Sequence, residues 1–299
     1  MAHLTQRRPE NASGDFYVDS TCIDCDTCRW MAPDVFHSAG EQSAVYHQPE
    51  NETERLRAMQ ALLSCPTASI GTVEKPKDIK VAQQSFPILV EENVYHCGYH
   101  SEASYAAASY LIVRPEGNIL VDSPRFAAPL VKRLEEMGGI RYMYLTHRDD
   151  VADHQKFQEH FKCVSEAGGD SLLRILHKDD ITSGTRDVEI QLSGIEPIQF
   201  APDLLIIPVP GHSKGHTVLL YKNKFLFTGD HLAWSETGKQ LIAFRDYCWY
   251  SYAEQIKSME KLTQYSFEWV LPGHGRRYHT DRETMRQQMQ QCLAWMKAQ

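Results

Sequence analysis

Long apolar runs are missing from this chain. No stretch of about 18 apolar residues occurs in its 299 residues, so a membrane-crossing helix is not expected. Met1 to Asp15 is polar and has no apolar centre of the kind a signal peptide needs. Positive charge is also in deficit: 31 Lys and Arg stand against 39 Asp and Glu, for a formal net charge of -8. That balance leaves no broad basic field to hold a phosphate backbone. The expectation is a cytoplasmic protein with no nucleic-acid or membrane partner. Internal repeats and low-complexity tracts are absent too. What remains is an ordinary globular composition, 42% hydrophobic and 23% charged. The length suits two domains, or one near the limit of roughly 250–300 residues for a single core.

Eight cysteines are present, unevenly placed. Disulfide frameworks belong mainly to short secreted chains, so metal binding explains the clustering better. Cys22-Ile-Asp-Cys25-Asp-Thr-Cys28 lets one short loop offer three thiolates, and Cys65-Pro66 supplies a fourth in the C-P form that closes bacterial ferredoxin ligand sets. A helix from Asn51 to about Leu63, with Leu56, Met59, Leu62 and Leu63 at helical spacing, would return the last cysteine to the loop. Cys₄ zinc sites usually show two C-x-x-C pairs instead. With Ala32-Pro33, Val35-Phe36 and Cys65-Pro-Thr-Ala-Ser-Ile, this first quarter of the chain resembles the single-cluster bacterial ferredoxins. The resemblance implies one [4Fe-4S] cluster on Cys22, Cys25, Cys28 and Cys65. The scattered Cys97, Cys163, Cys248 and Cys292 are expected to be buried free thiols.

The charged, proline-bearing stretch after Val73 reads as a linker, giving residues 1–75 as a ferredoxin-like domain, 76–86 as the linker and 87–299 as a second domain. Apolar runs at Ser109–Val113, Asn118–Val121, Met143–Leu145, Leu204–Val209, Thr217–Tyr221, Phe225–Phe227 and Trp269–Leu271 predict strands. Ala128–Met137, Glu254–Tyr265 and Asp281–Lys297 predict helices. The pattern is that of a layered α/β or α+β domain, and with the ferredoxin-like segment the fold class is taken as α+β.

Four segments place histidine or aspartate just after predicted strands: Thr146-His147-Arg-Asp149-Asp-Val-Ala-Asp153-His154, Pro210-Gly211-His212-Ser-Lys-Gly-His216, Thr228-Gly229-Asp230-His231 and Leu271-Pro-Gly-His274-Gly. Imidazole with carboxylate suits zinc, iron or manganese. Together the segments resemble the metallo-β-lactamase superfamily, over about Phe86 to Ala298. The resemblance implies a four-layer αββα sandwich with one or two divalent metals, zinc or iron, along one sheet edge. By position, His147 and His212 would hold one metal, Asp153, His154 and His274 the second, and Asp230 would bridge. His216, Ser213 and Asp122 would orient the ligands. The first segment is two residues longer than the family's, so the family's second histidine falls on Asp149 counting forward and on Val151 counting back. Asp149 is the one able to ligate, and a carboxylate there also occurs in the superfamily's di-iron flavoprotein branch.

Two reactions follow from the resemblance. One is hydrolysis of a small-molecule ester, thioester, amide or phosphoester, with Asp153 and Asp230 as the catalytic carboxylates. The other is iron-dependent redox chemistry fed by the cluster, with a redox partner protein. By the same resemblance Tyr95 to Ser101 falls where the fold's first active-site loop would be, in reach of substrate, and Trp234, Phe244, Tyr247, Trp249 and Tyr250 either wall a pocket or pack in the core.

Overall fold

Asn51 accepts a hydrogen bond from Glu54 N (3.0 Å) and donates to the Glu54 carboxylate, a reciprocal cap that starts the helix Glu52–Ser64. That helix carries Cys65 back toward the cysteine loop, as its spacing predicts. The computed structural model describes residues 2–166 and 171–299, with the side chains of 163–166 also left aside; the Cys163 reading falls outside the described residues.

The chain divides into two compact units, Met1–Asn118 with Pro124–Ile140, and Ile119–Ser123 with Arg141–Gln299. The first unit keeps the cysteine-bearing segment together with the strands that follow it, so compactness does not break at residues 76–86. Those residues are not an open linker. They contain the helix Ile79–Gln84, whose Ala82 is fully buried, and they are fastened by Arg55 to Asp78 (2.6 Å) and Gln60 to Ser85 (2.9 Å). Charge and proline in this stretch serve its surface and its start, while Ala82 and Ile79 join the core.

In the first unit, strands Phe16–Val18 and Ile70–Thr72 pair antiparallel, with Phe16 opposite Thr72. The hairpin Phe36–Ala39 and Gln42–Val45 turns through Gly40 at φ 65. Phe16, Val18, Val35, Phe36, Val45, Ala58, Met59 and Ile70 are buried together beneath them. Strands Ile88–Glu91, Val94–His96 and Tyr110–Ile112 follow as an antiparallel meander, and the helix Ala128–Glu136 belongs to the same unit.

In the second unit, Ile119–Val121, Tyr142–Tyr144, Leu173–His177 and Ile190–Leu192 pair parallel. A six-stranded sheet runs Ile198–Ala201, Leu204–Pro208, Thr217–Tyr221, Phe225–Gly229, Trp269–Pro272 and Tyr278–His279. Its pairs are antiparallel except Phe225–Gly229 with Trp269–Pro272. Helices Tyr252–Leu262 and Arg282–Lys297 bury Met259, Leu262, Met285, Met289, Cys292 and Met296 in the same core as Ile207, Val218, Leu220, Leu226 and Val270. Across both units, all seven strands and all three helices predicted beyond residue 86 occur, within a few residues. Among the described residues no helix is long and apolar enough to cross a membrane.

Candidate metal centres

The cysteine loop owes its shape to two aspartates. Asp24 (φ 58) and Asp26 (φ 63) adopt left-handed backbone, which short polar side chains tolerate better than most. Arg29 holds both carboxylates, at 2.6 Å and 2.5 Å, so the two turns are locked from outside. Cys22, Cys25, Cys28 and Cys65 then line one pocket, with Val18, Ile23, Ile70, Ser43, Thr67 and Ser69 around them. None of the four is in a disulfide. Ser69 N donates to Cys65 Sγ (3.2 Å), Ser43 N to Cys22 Sγ (3.5 Å), and Thr27 lies 3.4 Å from Cys25 Sγ. Burial pushes the Cys25 thiol up to about 11 and Cys28 higher still, so these two sulfurs need a cation beside them to become thiolates. Soft donors, enclosure and N–H groups aimed at sulfur fit an iron–sulfur cluster.

The second centre is made where strands of the second unit end. Tyr142–Tyr144 leads to His147 and Asp150, Leu204–Pro208 to His212, Phe225–Gly229 to Asp230, and Trp269–Pro272 to His274. Backbone bonds Thr217 N to Thr146 O (2.9 Å) and Gly273 N to Gly229 O (2.9 Å) hold these ends together. Two groups of three donors result: His147, His212 and Asp230, and Asp150, Asp230 and His274. Asp230 belongs to both. Its Oδ2 lies 3.7 Å from Nε2 of His147 and of His212, and its Oδ1 accepts from His274 Nδ1 at 2.7 Å. Glycine permits this closeness. A Cβ on Gly273 would lie 2.6 Å from Asp150 Oδ2 and 3.0 Å from Asp230 Oδ1.

Thr146 Oγ1 donates its only proton to buried Asp122 (3.0 Å), so it accepts from His147 Nδ1–H at 3.0 Å. His147 Nε2 is thereby left as a bare lone pair, buried and without a hydrogen-bond partner, facing Asp230. Both oxygens of Asp150 are likewise buried and unpartnered. His216 accepts from Asp230 N (3.2 Å) and stacks on His147 at 4.8 Å. Asp180 ties two ligand loops, accepting from Arg148 N (3.1 Å), Gly215 N (2.7 Å) and Ser213 Oγ. The residues read as orienting thus touch ligand loops, whereas Asp180 had no sequence signal beyond following a strand.

Burial works against charge on two of these imidazoles, with His147 lowered to about 4 and His216 well below its usual range. Burial opposes charge on Asp230 as well, yet His274, His147 and His212 outweigh it and hold the carboxyl far below normal. Asp150 is raised well above the carboxylate range by burial and by Asp230. Buried carboxylates crowded around imidazoles, with orphaned donor atoms pointing inward, fit divalent cations.

Of the residues assigned from the sequence, His147, His212, Asp230 and His274 come together. Asp149 lies beside the first group, 3.3 Å from His212 Nε2 and 3.7 Å from His147 Nε2. Asp153 and His154 do not join either group. Asp153 binds Lys156 at 2.7 Å, and His154 Nδ1 meets Arg174 at 3.0 Å. The reason is local: the helix His154–Glu166 starts here and buries Phe157 and Phe161, turning its first residue out of the loop. Asp150 takes the position expected for Asp153. The Phe157 and Phe161 spacing was the signal available for that helix. His96 and His100, expected near substrate, are buried in the first unit, their rings in contact with each other and with Trp30. Trp234 stacks on Tyr278 at 3.9 Å, while Tyr247, Trp249 and Tyr250 are exposed and Trp249 lies 6.4 Å from the His212 ring.

Residues 18–72 match the family profile described as the 4Fe-4S single cluster domain of ferredoxin I. No curated protein matches the chain. Among solved structures, a metallo-β-lactamase from Hirschia baltica is 17% identical, with a TM-score of 0.50 over 70% of this chain and 95% of that one. A metallo-β-lactamase from Pontibacter korlensis is 14% identical, with 0.49 over 71% and 98%. An archaeal metallo-β-lactamase superfamily protein from Sulfolobus tokodaii is 15% identical, with 0.47 over 69% and 87%. The first of these likenesses carries the fold. The chain therefore joins a 4Fe-4S ferredoxin-type segment to a mixed α/β region of metallo-β-lactamase fold.

Proposed function

We propose that the second centre makes this protein a metal-dependent hydrolase of small molecules, with the cluster in a structural or redox-sensing part. The supporting observation is the place of Asp230 in both donor groups, one oxygen toward His274 and the other toward His147 and His212. A carboxylate so shared suits a pair of metals, which when bound would supply Lewis acidity and a water of lowered pKa. His147, His212 and Asp149 would hold one, Asp150 and His274 the other. Asp150 replaces Asp153 as the carboxylate that would hold the proton of the attacking water. Asp122 and Thr146 fix the His147 tautomer, and Trp249 and Tyr250 offer an apolar wall beside His212 for the acyl or alkyl part of a substrate.

One observation favours iron-dependent redox chemistry instead. Asp149 sets a second carboxylate beside the two imidazoles and Asp230 of the first group, and such oxygen-richer sets suit non-haem iron. Purified holoprotein separates the readings. Iron, zinc and acid-labile sulfide are counted, and turnover of ester, thioester and phosphodiester probes is followed with the cluster oxidised or reduced by dithionite. Hydrolysis indifferent to cluster reduction supports the first reading. Absence of hydrolysis, with two non-cluster irons whose spectra change on reduction through the cluster, would replace it by the second.

A further inference from the structure

Thr27 sits between Cys25 and a pair of buried histidines. Its Oγ1 is 3.4 Å from Cys25 Sγ and 3.1 Å from His100 Nδ1, and His100 Nε2 is 2.9 Å from His96 Nε2. Thr27, His96 and His100 are each 2% exposed or less. Trp30 lies against both imidazoles, 5.1 Å from His96 and 6.1 Å from His100, and Tyr110 is 5.9 Å from His96. All these residues belong to the first compact unit.

Hydrogen-bond bookkeeping gives this chain of atoms a direction. A cysteine bound to iron has no proton, so any bond between it and Thr27 uses the threonine hydroxyl as donor. The sulfur carries negative charge, and a charged acceptor draws the hydroxyl proton more strongly than a neutral ring nitrogen does. With its proton committed to sulfur, Thr27 Oγ1 accepts from His100 Nδ1–H. His100 Nε2 is then an acceptor, and His96 Nε2–H donates to it. Every donor in the series points toward Cys25.

From this geometry we infer that His100 and His96 are positioning residues of the cluster: through Thr27 they direct a line of donors at Cys25 and raise the cluster's reduction potential. Donors aimed at cluster sulfur favour the more negative, reduced form, and linked hydrogen bonds polarise one another. The assignment also gives the stretch Tyr95 to Ser101 a place beside the cluster. It rests on the four-cysteine site alone and is independent of the reaction at the second centre.

The test is the midpoint potential of full-length holoprotein by EPR-monitored dithionite titration, with iron and sulfide counted in each variant. Thr27→Val lowers the potential, on the order of tenfold in the reduction equilibrium, about 59 mV for one electron. His100→Phe lowers it too. The double variant falls no further than Thr27→Val, because His100 acts through Thr27. His100→Asn keeps a donor near the position of Nδ1 and returns the potential toward that of the native protein. An unchanged potential in His100→Phe with the cluster intact, or shifts that add in the double variant, overturns the assignment. If His100→Phe does not retain iron, His96→Leu decides: a lowered potential supports the donor line, and an unchanged one overturns it.

Discussion

The cysteine pocket and the histidine–aspartate centre solve one problem in opposite ways. In the first, three of the four sulfurs come from a single seven-residue loop, the donors are soft, and backbone N–H groups approach them directly. In the second, candidate donors arrive from four strand ends between His147 and His274, they are imidazole nitrogens and carboxylate oxygens, and side chains such as Asp122, Thr146 and Asp180 do the orienting. A local loop fixes its own geometry. A centre assembled from four loops depends on every connection between them, so it is the more exposed to a single change.

The largest effect expected from that difference is at Asp230. Asp230→Ala removes a donor from both groups at once, so both non-cluster metals should be lost. The drop in metal affinity should exceed the 10–100-fold typical of losing an outer partner. Metal analysis after dialysis checks it, and retention of even one metal at full occupancy would show that the two groups do not share this carboxylate. The counterpart is Cys65→Ser, which should strip or impair the cluster while leaving the second centre's metal in place. Parallel loss of both metals would mean that the two centres do not fold independently, and the contrast drawn above would fail.

Next in size is the choice between adjacent carboxylates. Counting along the chain favours Asp149 as a ligand over Asp150. The structure makes Asp150 the stronger case: it is fully enclosed with both oxygens unpartnered, whereas the Asp149 side chain is 44% exposed. Asp150→Ala should therefore lower metal content more than Asp149→Ala, with the loss confined to one equivalent. The reverse order would return the ligand role to Asp149 alone.

This pair also marks where the sequence stops being legible. The cysteines were readable because their spacing is their geometry, and Asn51 with Glu54 announced the helix that returns Cys65. His147, His212, Asp230 and His274 were readable as residue types after strands. The roles inside residues 147–154 were not, because a two-residue insertion can be absorbed before or after the next helix begins. The start of that helix at His154, set by burial of Phe157 and Phe161, decides it, and only tertiary packing shows this. Residues 76–86 misled for a similar reason: a proline and several charges resemble a linker until Ala82 is seen buried.

The smallest expected effect separates the two regions by their response to pH. His231 is fully buried, neither ring nitrogen has a hydrogen-bond partner, and burial lowers its pKa to about 3. An unfolded histidine titrates near 6.5, so between these values the unfolded chain binds a proton that the folded one refuses. Stability from this group is complete above about pH 6.5 and declines as pH falls toward 3, by up to about 1.4 kcal/mol per pH unit. The cysteine-bearing unit carries the opposite sign. Buried Cys97 is raised to about 12, so its contribution is intact in acid and is lost only as pH rises above the unfolded thiol's range. Replacing His231 with Leu removes no hydrogen bond made by the ring, and should lessen the acid-side decline, to which His147 and His216 also contribute, without changing the alkaline side. Urea midpoints at pH 5.5 and 7.5 for the native protein and the variant test it. Equal acid sensitivity in both would mean that His231 takes up a proton in place, and that the acid-labile character of this region lies with other groups.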